Sequence, residues 1–268
     1  MGKMATYLDK ILASHRGAAR ADNRDVPVLV VEAQKCPPAR GFAAALRNGA
    51  HVGPGGPAVI AEIKRRSPSK GPLAPDLVAG VVAKSYAGAG AACLSVLTDN
   101  EFFGGSAEDL AEARAAVELP VLRKDFTVSA ADVCDARLMG ADALLLIVGA
   151  LSSGELAELL QLARHLGLDA LVEVHDEVEA ELALSAGAEM VGVNQRDLVT
   201  FSVDTDRAVR VSAALPGTVV RVAESGIRTR DDVRRLADAG FDAVLVGEAL
   251  VTASDPGAAL ASLTGAAS

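Results

Sequence analysis

The sequence predicts an α/β fold of the (β/α)8 TIM-barrel class, and an internal repeat is the first observation that predicts it. Five times, a helical stretch ends at a glycine and an apolar strand begins two or three residues later. The copies are GAACLSVL from Gly90, GADALLLIV from Gly140, GLDALVEV from Gly167, GAEMVGV from Gly187 and GFDAVLVG from Gly240. Glycine ends a helix because it accepts the left-handed conformation, and strands that are apolar on both faces are typical of buried parallel sheets.

The second observation is the number of strands. The runs AVIAEI before Lys64, PVLRK before Asp125 and VVRVAE before Ser225 bring that number to eight. Stretches with helical periodicity separate the strands, as from Ser153 to His165 and from Thr229 to Ala239. Eight alternating units favour closure into a barrel. An open doubly wound sheet is the structural alternative, but it usually carries a glycine-rich fingerprint after its first strand, where this chain has KRRSPSKGPLAP.

The third observation is the length. A closed α/β barrel takes about 250 residues as one domain, so we expect the 268 residues of this chain to form a single domain. Residues 1–57 do not fit the repeat, and we expect them to form an N-terminal helical extension. The stretch NGAHVGPGGP predicts a linker into the first strand, because neither the Lys-Ser/Thr pair nor the helix start of a phosphate loop follows it.

Composition and charge exclude several functional classes. The 26 Lys and Arg against 35 Asp and Glu give a formal charge of −9, which repels nucleic acid and acidic membranes. Cys36, Cys93 and Cys134 lie far apart in the sequence, so we expect neither a disulfide framework nor a zinc site. The N terminus lacks the apolar core of a signal peptide, and the longest apolar run, from Ala143 to Leu151, is too short to span a membrane. We therefore expect a soluble cytoplasmic protein.

Polar side chains at the carboxyl ends of the strands form the candidate site. Active sites of barrels lie at this end, and a charged residue there otherwise interrupts an apolar run at a cost in free energy. The residues are Glu62, Lys64, Lys124, Glu173, Asn194, Arg196, Glu224, Ser225 and Glu248. A structural ion pair explains any one of them equally well, but their recurrence at one end of six strands favours an active site.

Two turns near the end of the chain predict a phosphate site. The loops after strands seven and eight, ESGI and VGEAL, contain Gly226 and Gly247, where backbone N–H groups can approach an anion. Tight turns without a ligand are the alternative. Lys64, Lys124 and Arg196 add cations beside the carboxylates, so we expect a small-molecule substrate with a phosphate and a carboxylate. No cofactor signature accompanies these residues.

The four histidines are poor candidates for metal binding or catalysis, and we predict no metal site. We expect His15, His51 and His165 at the surface, because they lie in the extension or at a helix end. His175 follows Glu173 by two residues and falls near the rim of the predicted site, where we expect a helix-capping or surface role.

Eight sequence strings carry a family resemblance. Read in order, AEIKRRSPSKG, LSVLTDNEFFGGS, PVLRKDF, LLLIV, LVEVH, GVNQRDL, VAESGI and LVGEAL resemble the indole-3-glycerol phosphate synthase family, in register from about Val59 to Leu250. The resemblance implies a (β/α)8 barrel with an amino-terminal helical extension. It also implies a cofactor-free carboxy-lyase of tryptophan biosynthesis, which closes the pyrrole ring of 1-(o-carboxyphenylamino)-1-deoxyribulose 5-phosphate with loss of CO2 and water.

The resemblance implies catalytic roles for strand-end residues. Lys124 would be the general acid that protonates the ketone oxygen, and Glu173 would be its acid/base partner in dehydration, with the assignment of each proton transfer left open. Glu62 would assist the later proton transfers. Lys64 would hold the substrate carboxylate or orient the anionic end of the substrate, and Asn194 would fix the geometry of a hydroxyl or carboxylate.

The resemblance also implies a substrate-binding wall. By resemblance, the substrate and phosphate wall comprises Ser67, Ser225, Gly226, Gly247 and Glu248, and we count Ser225 among the catalytic residues. We also assign Arg196 and Glu224 to substrate binding. The apolar slot for the anthranilate ring would comprise Phe103, Phe126, Leu145 and Ile147. The polar loop from Arg65 to Pro75, with its Gly and Pro hinges, predicts a lid, with a passive surface loop as the alternative.

Several departures and alternatives remain at this point. Gln195 stands where the family often has Asn, Gly149 replaces a commonly larger residue, and the extension matches only loosely. A sugar-phosphate isomerase would need an Asp-based acid–base couple, and a Schiff-base aldolase would need Lys124 unprotonated. A non-catalytic metabolite-binding barrel is the third alternative. Other enzymes of the tryptophan pathway are the candidate protein partners.

Overall fold

The computed structural model describes residues 6–48, 56–197 and 199–265. Its central element is a closed barrel of parallel strands, which confirms the predicted TIM-barrel class. The strands are β1 (Ala58–Ile63), β2 (Cys93–Leu97), β3 (Val121–Lys124), β4 (Ala143–Ile147), β5 (Asp169–Val174), β6 (Met190–Asn194), β7 (Val220–Glu224) and β8 (Ala243–Val246). Strand β8 closes the ring by pairing with β1, from Ala58 opposite Ala243 to Ala61 opposite Val246.

Helices alternate with these strands as the repeat predicted. They are α4 (Ala79–Gly88), α5 (Ala107–Ala116), α6 (Ala130–Leu138), α7 (Ser153–His165), α8 (Glu177–Ser185), α9 (Arg207–Ser212), α10 (Arg230–Asp238), α11 (Glu248–Val251) and α12 (Pro256–Thr264). Ser152 and Thr229 begin α7 and α10 with capping boxes, which satisfy backbone N–H groups that the helix leaves free. The five repeat glycines have φ between 71° and 89°, so each follows its helix in the left-handed conformation that the pattern predicted.

Alternating side chains divide the core into two layers. In β4, Leu145 and Ile147 point into the barrel, whereas Leu144 and Leu146 pack against the surrounding helices. All four are nearly inaccessible to solvent. A strand that is buried on both faces must be apolar throughout, which is why the strands appear in the sequence as uninterrupted apolar runs.

Three helices precede the barrel, in agreement with the predicted extension. They are α1 (Tyr7–Ala21), α2 (Val26–Ala33) and α3 (Phe42–Asn48). Phe42 and Leu46 of α3 belong to the interior cluster together with Ala58 and Ala243, the first residues of β1 and β8. Helix α3 therefore closes the amino end of the barrel, while Leu8 of α1 lines the pocket at the carboxyl end. The predicted linker NGAHVGPGGP, with His51, falls largely outside the described residues.

The predicted lid contains a small hairpin, in which Arg66–Ser67 pairs with Gly71–Pro72. Arg65 ties the base of this loop to α5 through Asp109. In the described part of the chain, no helix combines the length and hydropathy needed to cross a membrane. Cys36, Cys93 and Cys134 are free thiols.

Candidate active site

One pocket opens at the carboxyl end of the barrel, and every residue predicted for the site lies on its wall. The residues given catalytic roles are Glu62, Lys64, Lys124, Glu173, Asn194 and Ser225. The residues given binding roles are Ser67, Phe103, Phe126, Leu145, Ile147, Arg196, Glu224, Gly226, Gly247 and Glu248. Parallel pairing explains this convergence, because it brings the last residues of all strands to one end; Asn194, for example, lies opposite Glu224.

Lys124 occupies the centre of the charged part of the pocket. Its Nζ lies 3.4 Å from Glu173 Oε2 and 3.5 Å from Glu224 Oε2. Asn194 Nδ2 donates a hydrogen bond of 3.0 Å to the other Glu173 oxygen. Glu173 and Glu224 are 1% and 2% exposed. Burying two carboxylates is costly even when they are paired, and such a cluster at the mouth of a barrel is a candidate for acid–base chemistry.

The ion pairs set the protonation states of this cluster. Burial alone would lower the pKa of Lys124, but the neighbouring carboxylates, Glu224 first, raise it well above its usual value. Burial would raise the pKa of Glu173, yet Lys124 and His175 lower it. Burial raises the pKa of Glu224 to about 7; the attraction of Lys124 offsets only part of this, and repulsion from Glu173 adds to it. A charged lysine therefore lies between an ionised carboxylate and one that exchanges a proton near neutral pH.

Glu62 and Lys64 form a second charged pair on the β1 side. Lys64 Nζ donates to Glu62 Oε1, so these residues project to the same side as predicted. Two glycines make room for the buried acids. A Cβ at Gly247 would overlap the Glu62 carboxylate, and one at Gly192 would overlap that of Glu224. Gly247 was predicted only as part of the phosphate wall, and the need for Gly192 was missed, because this crowding arises between different strands.

The turn after β7 is strained. Ser225 and Gly226 have φ of 67° and 73°. A positive φ in a non-glycine residue costs free energy, and residues with such backbone strain are often found at functional sites. Gln195 Nε2 donates a hydrogen bond of 2.8 Å to the Ser225 carbonyl oxygen. Gln195 therefore supports this turn.

Three cations gather around Glu248 beside the predicted phosphate turns. Lys70 Nζ lies 2.5 Å from Glu248 Oε1, and the guanidinium groups of Arg228 and Arg196 lie 3.6 and 3.7 Å from its oxygens. Phosphate oxygens attract the same donors that carboxylate oxygens do. Arg228 was missed in the sequence, although its place directly after the ESGI turn was a usable signal.

The opposite wall of the pocket is apolar. The rings of Phe103 and Phe126 lie 6.3 Å apart, centroid to centroid, and Leu145 and Ile147 lie on the barrel side. A flat, apolar group fits such a surface.

Helix α1 completes this wall with residues that the sequence analysis missed. Tyr7, Leu8 and Ile11 line the pocket, and the Tyr7 ring packs edge-on against Phe102 and Phe201. The spacing of these three residues places them on one helical face, which was a usable signal. What that face contacts depends on tertiary structure.

The expectation that His15 lies on the solvated surface was wrong. Its side chain is 20% exposed, and its Nε2 lies 2.9 Å from Asp99 Oδ2. The ring also packs 5.3 Å from that of Phe126, centroid to centroid. Asp99 Oδ1 accepts the backbone N–H of Phe103, so this pair joins α1 to the loop that carries Phe103. Its partners are distant in sequence, which is why the local pattern gave no sign of them.

His15, Asp99 and Asp125 also form, among the described residues, a group whose atoms lie close enough together to hold a metal ion. Their oxygens already have protein partners. Asp125 Oδ2 accepts hydrogen bonds from Thr98 and from Arg123. Ion pairing within the protein therefore accounts for this group without a ligand.

The other described histidines, His165 and His175, differ in their exposure to solvent. His165 is exposed at the end of α7, as expected. His175 does not lie on the open surface, because its side chain is 17% exposed and its Nε2 lies 3.6 Å from Glu173 Oε1.

Comparisons with solved structures agree with the fold. The solved structure of thiamine phosphate pyrophosphorylase from Pyrococcus furiosus matches with a TM-score of 0.58 at 19% identity, over 77% of this chain and 93% of that chain. A structure of 3-hexulose-6-phosphate synthase matches with a TM-score of 0.58 at 17% identity, over 79% of this chain and 100% of that chain. At these identities the likeness shows the fold alone.

Sequence relatives are much more similar. Indole-3-glycerol phosphate synthase 2 of Streptomyces coelicolor is 53% identical over 94% of this chain and 95% of its own length. Indole-3-glycerol phosphate synthases of a Polaromonas species and of Mycobacterium ulcerans are each 48% identical, over 98% and 97% of this chain and 99% and 94% of their own lengths. The family model for indole-3-glycerol phosphate synthase matches residues 8–263. This chain belongs to the indole-3-glycerol phosphate synthase family.

Proposed function

We propose that this chain closes the ring of 1-(o-carboxyphenylamino)-1-deoxyribulose 5-phosphate to form indole-3-glycerol phosphate, with release of CO2 and water, in tryptophan biosynthesis. The observation that carries the proposal is a charged Lys124 between the buried carboxylates of Glu173 and Glu224, beside an apolar slot. The substrate has an aromatic ring, a carboxylate and a phosphate, and the pocket offers a suitable surface for each.

Lys124 is the proposed general acid of the first step. The ring carbon that bears the carboxylate attacks the ketone carbon, and the ketone oxygen gains a proton as the carbon–carbon bond forms. The raised pKa of Lys124 supports this role, because the ammonium keeps its proton at neutral pH until the oxygen becomes basic. The same charge disfavours an imine-forming aldolase, which needs a neutral amine.

The carboxylates serve the later steps. After CO2 leaves and its bonding electrons return to the ring system, the departing hydroxyl needs a proton and the adjoining CH2 carbon must lose one. Glu224, whose pKa lies at about 7, suits the acid, and ionised Glu173 suits the base. This gives Glu224 a proton-transfer role in place of the binding role predicted from sequence. Asn194 orients Glu173 through its hydrogen bond. Glu62, which accepts a hydrogen bond from Lys64, assists these proton transfers.

The remaining walls bind the two ends of the substrate. We assign the phosphate to the Ser225–Gly226 turn and to the backbone around Gly247, with Arg196 as a neighbouring cation. Ser67, Glu248 and the apolar slot complete the enclosure, and Lys64 is the cation for the substrate's carboxylate. We further propose that the loop from Arg65 to Pro75 is the lid, and that residues 1–57 form part of the same single domain.

Replacing Lys124 by Met tests the catalytic assignment. Since the chain contains no Trp, the fluorescence of the indole product rises against a low protein background. We expect Lys124→Met to lose at least about 1000-fold in turnover, at the upper range of general acid catalysis, while still binding substrate. Lys84→Met, on the exposed side of α4, is the matched control and should behave as the unmutated protein. Absence of product from the unmutated protein, or borohydride trapping of an imine on Lys124, would contradict the proposal.

A further inference from the structure

His175 lies beside the Glu173 carboxylate but does not belong to the pocket wall. Its Nε2 is 3.6 Å from Glu173 Oε1, while Lys124 approaches the other carboxylate oxygen at 3.4 Å. This Nε2 atom is buried and has no hydrogen-bond partner among the described residues. A buried polar atom without a partner is costly, and this atom faces the Glu173 carboxylate, to which the proposed function assigns a proton transfer.

Glu179 fixes the orientation of the imidazole ring. Its Oε2 lies 3.1 Å from His175 Nδ1 and also accepts the backbone N–H of His175 at 2.7 Å. Because an ionised carboxylate only accepts hydrogen bonds, Nδ1 carries a hydrogen, and Nε2 faces Glu173 either as a lone pair or as an N–H group. The lone pair would repel the carboxylate, whereas the N–H of an imidazolium attracts it.

Gly149 provides the space that Glu179 needs. A Cβ at position 149 would lie 3.1 Å from Glu179 Oε1, which is tighter than ordinary packing. The absence of a side chain at position 149 thus leaves room for the carboxylate that holds His175.

Charges from several elements act on this histidine. Burial alone would lower its pKa, and Arg207, the first residue of α9, opposes protonation, but the hydrogen bond to Glu179 and the charge of Glu173 raise the pKa above its usual value. The balance of the described charges therefore favours the imidazolium.

Glu173 and Glu224 differ in their partners. Asn194 and Lys124 donate to Glu173, and His175 faces it. Glu224 has Lys124 at 3.5 Å, but its Oε1 is buried without a partner. Glu62 adds a further negative charge near Glu224 and Lys124.

We propose that His175 is a positioning residue for the reaction: its imidazolium, held by Glu179, keeps Glu173 ionised and directed at Lys124, so that the exchangeable proton resides on Glu224. This inference rests on the proposed function for its kinetic consequence. The electrostatic coupling between His175 and Glu173 is a property of the folded protein and can be measured without turnover.

The kinetic test is the pH profile of kcat/KM for His175→Gln. Loss of the positive charge should raise the pKa of Glu173 by about one unit, as removal of a neighbouring opposite charge does. The acid limb should therefore move to higher pH by the same amount, with an approximately tenfold deficit below the limb that disappears above it. His165→Gln, an exposed histidine at the end of α7, is the matched control and should leave the profile unchanged. A deficit that is the same at every pH indicates a structural role and overturns the proposal, as does an unchanged profile.

The second test follows the titration of the imidazole rings by proton–nitrogen NMR. The chain has four histidines, and His175→Gln identifies the signal of His175. We expect its pKa to lie above the usual value of about 6.5 and to fall by about one unit in Glu173→Gln. A His175 pKa that Glu173→Gln leaves unchanged overturns the proposal.

The proposal can still be tested if His175→Gln does not fold or if the unmutated protein forms no product. If His175→Gln does not fold, Glu179→Gln instead removes the negative charge that favours the imidazolium, and it should shift the acid limb in the same direction by a smaller amount; no shift overturns the proposal. If the unmutated protein forms no product, the proposed function fails, while the NMR titration still decides whether His175 and Glu173 are coupled.

Discussion

At the scale of single residues, the numbers of acidic and basic side chains in the pocket differ. Glu62, Glu173 and Glu224 face Lys64 and Lys124, so the cluster has one more acid than base. Burial raises the pKa of Glu224, which has fewer donors than Glu173, to about 7, and the negative charges of Glu173 and Glu62 add to this shift. We expect the negative charge of an arriving substrate to raise the pKa of Glu224 further, so that this carboxyl group takes up a proton before the proposed dehydration.

Replacing Glu224 by Gln should lower the activity but raise the stability near pH 8. We expect kcat to fall at least about 100-fold through loss of a proton-transfer group, and the titration near pH 7 to disappear from the kcat profile. The pKa of Glu224 in the folded chain, about 7, lies above its value in the unfolded chain. The contribution of Glu224 to stability is therefore fully present below the unfolded pKa and is lost as the pH rises through about 7. Above that pH the buried ionised Glu224 destabilises the fold, and Gln does not.

Calorimetry at two pH values measures this effect. Near pH 8 the Tm of Glu224→Gln should exceed that of the unmutated protein by a few degrees, since about 1 kcal/mol corresponds to about 2–4 °C in a chain of this size. The difference should shrink toward pH 5, where Glu224 is protonated. A variant with the lower Tm at pH 8 would show that ionised Glu224 is a net stabilising partner of Lys124.

At the scale of elements, α1 has one buried apolar residue, Ile11, and three consecutive polar residues add to its attachment over the pocket. Ser14 Oγ donates to Glu101 Oε2 at 2.8 Å, and His15 pairs with Asp99. Arg16 pairs with Glu155 at 2.8 Å and also donates to a backbone carbonyl after β4. Polar contacts of this kind contribute less to stability than apolar packing does, so we expect α1 to open without unfolding of the barrel.

His15→Ala should loosen α1 and weaken substrate binding. Burial would lower the pKa of His15, but Asp99 and then Asp125 raise it, so the stabilisation of the docked helix is complete below the free value of about 6.5 and is lost as pH rises through the raised value. We expect the KM of the unmutated protein to increase above that pH. In His15→Ala, the KM should be about tenfold higher at low pH, equivalent to about 1.4 kcal/mol of lost binding free energy, and should no longer depend on this titration.

Hydrogen exchange of the α1 amides provides the structural readout. Exchange should be faster in His15→Ala than in the unmutated protein, while the amides of the barrel strands keep their protection. Lys10→Ala, an exposed residue of the same helix, is the matched control. Equal exchange in α1 with and without His15 would mean that the other contacts are sufficient to hold the helix.

At the scale of the whole molecule, sequence patterns predicted the features that depend on neighbouring residues, such as helix ends. The glycines at Gly140 and Gly240 ended helices as expected, because their left-handed conformation is a property of a few neighbouring residues. Lys124 and Glu173 could be assigned to one pocket because parallel strands bring their ends together. The surroundings of His15 were not predictable, because its partners lie more than 80 residues away in the sequence.

Ligand binding should stabilise the entire chain, because the pocket draws on α1 near one end of the sequence and on Gly247 and α11 near the other. At a ligand concentration of 100 times Kd, binding to the folded state adds about 2.7 kcal/mol, which corresponds to a rise in Tm of about 5–10 °C. We expect indole-3-glycerol phosphate to produce this shift. Indole and inorganic phosphate at the same concentrations should each produce less, since each contacts one wall of the pocket. His15→Ala should retain the response to phosphate and lose part of the response to the full ligand, whereas Lys84→Met should match the unmutated protein. If phosphate alone gave the full shift, the pocket would be an anion site and the aromatic slot would need another explanation.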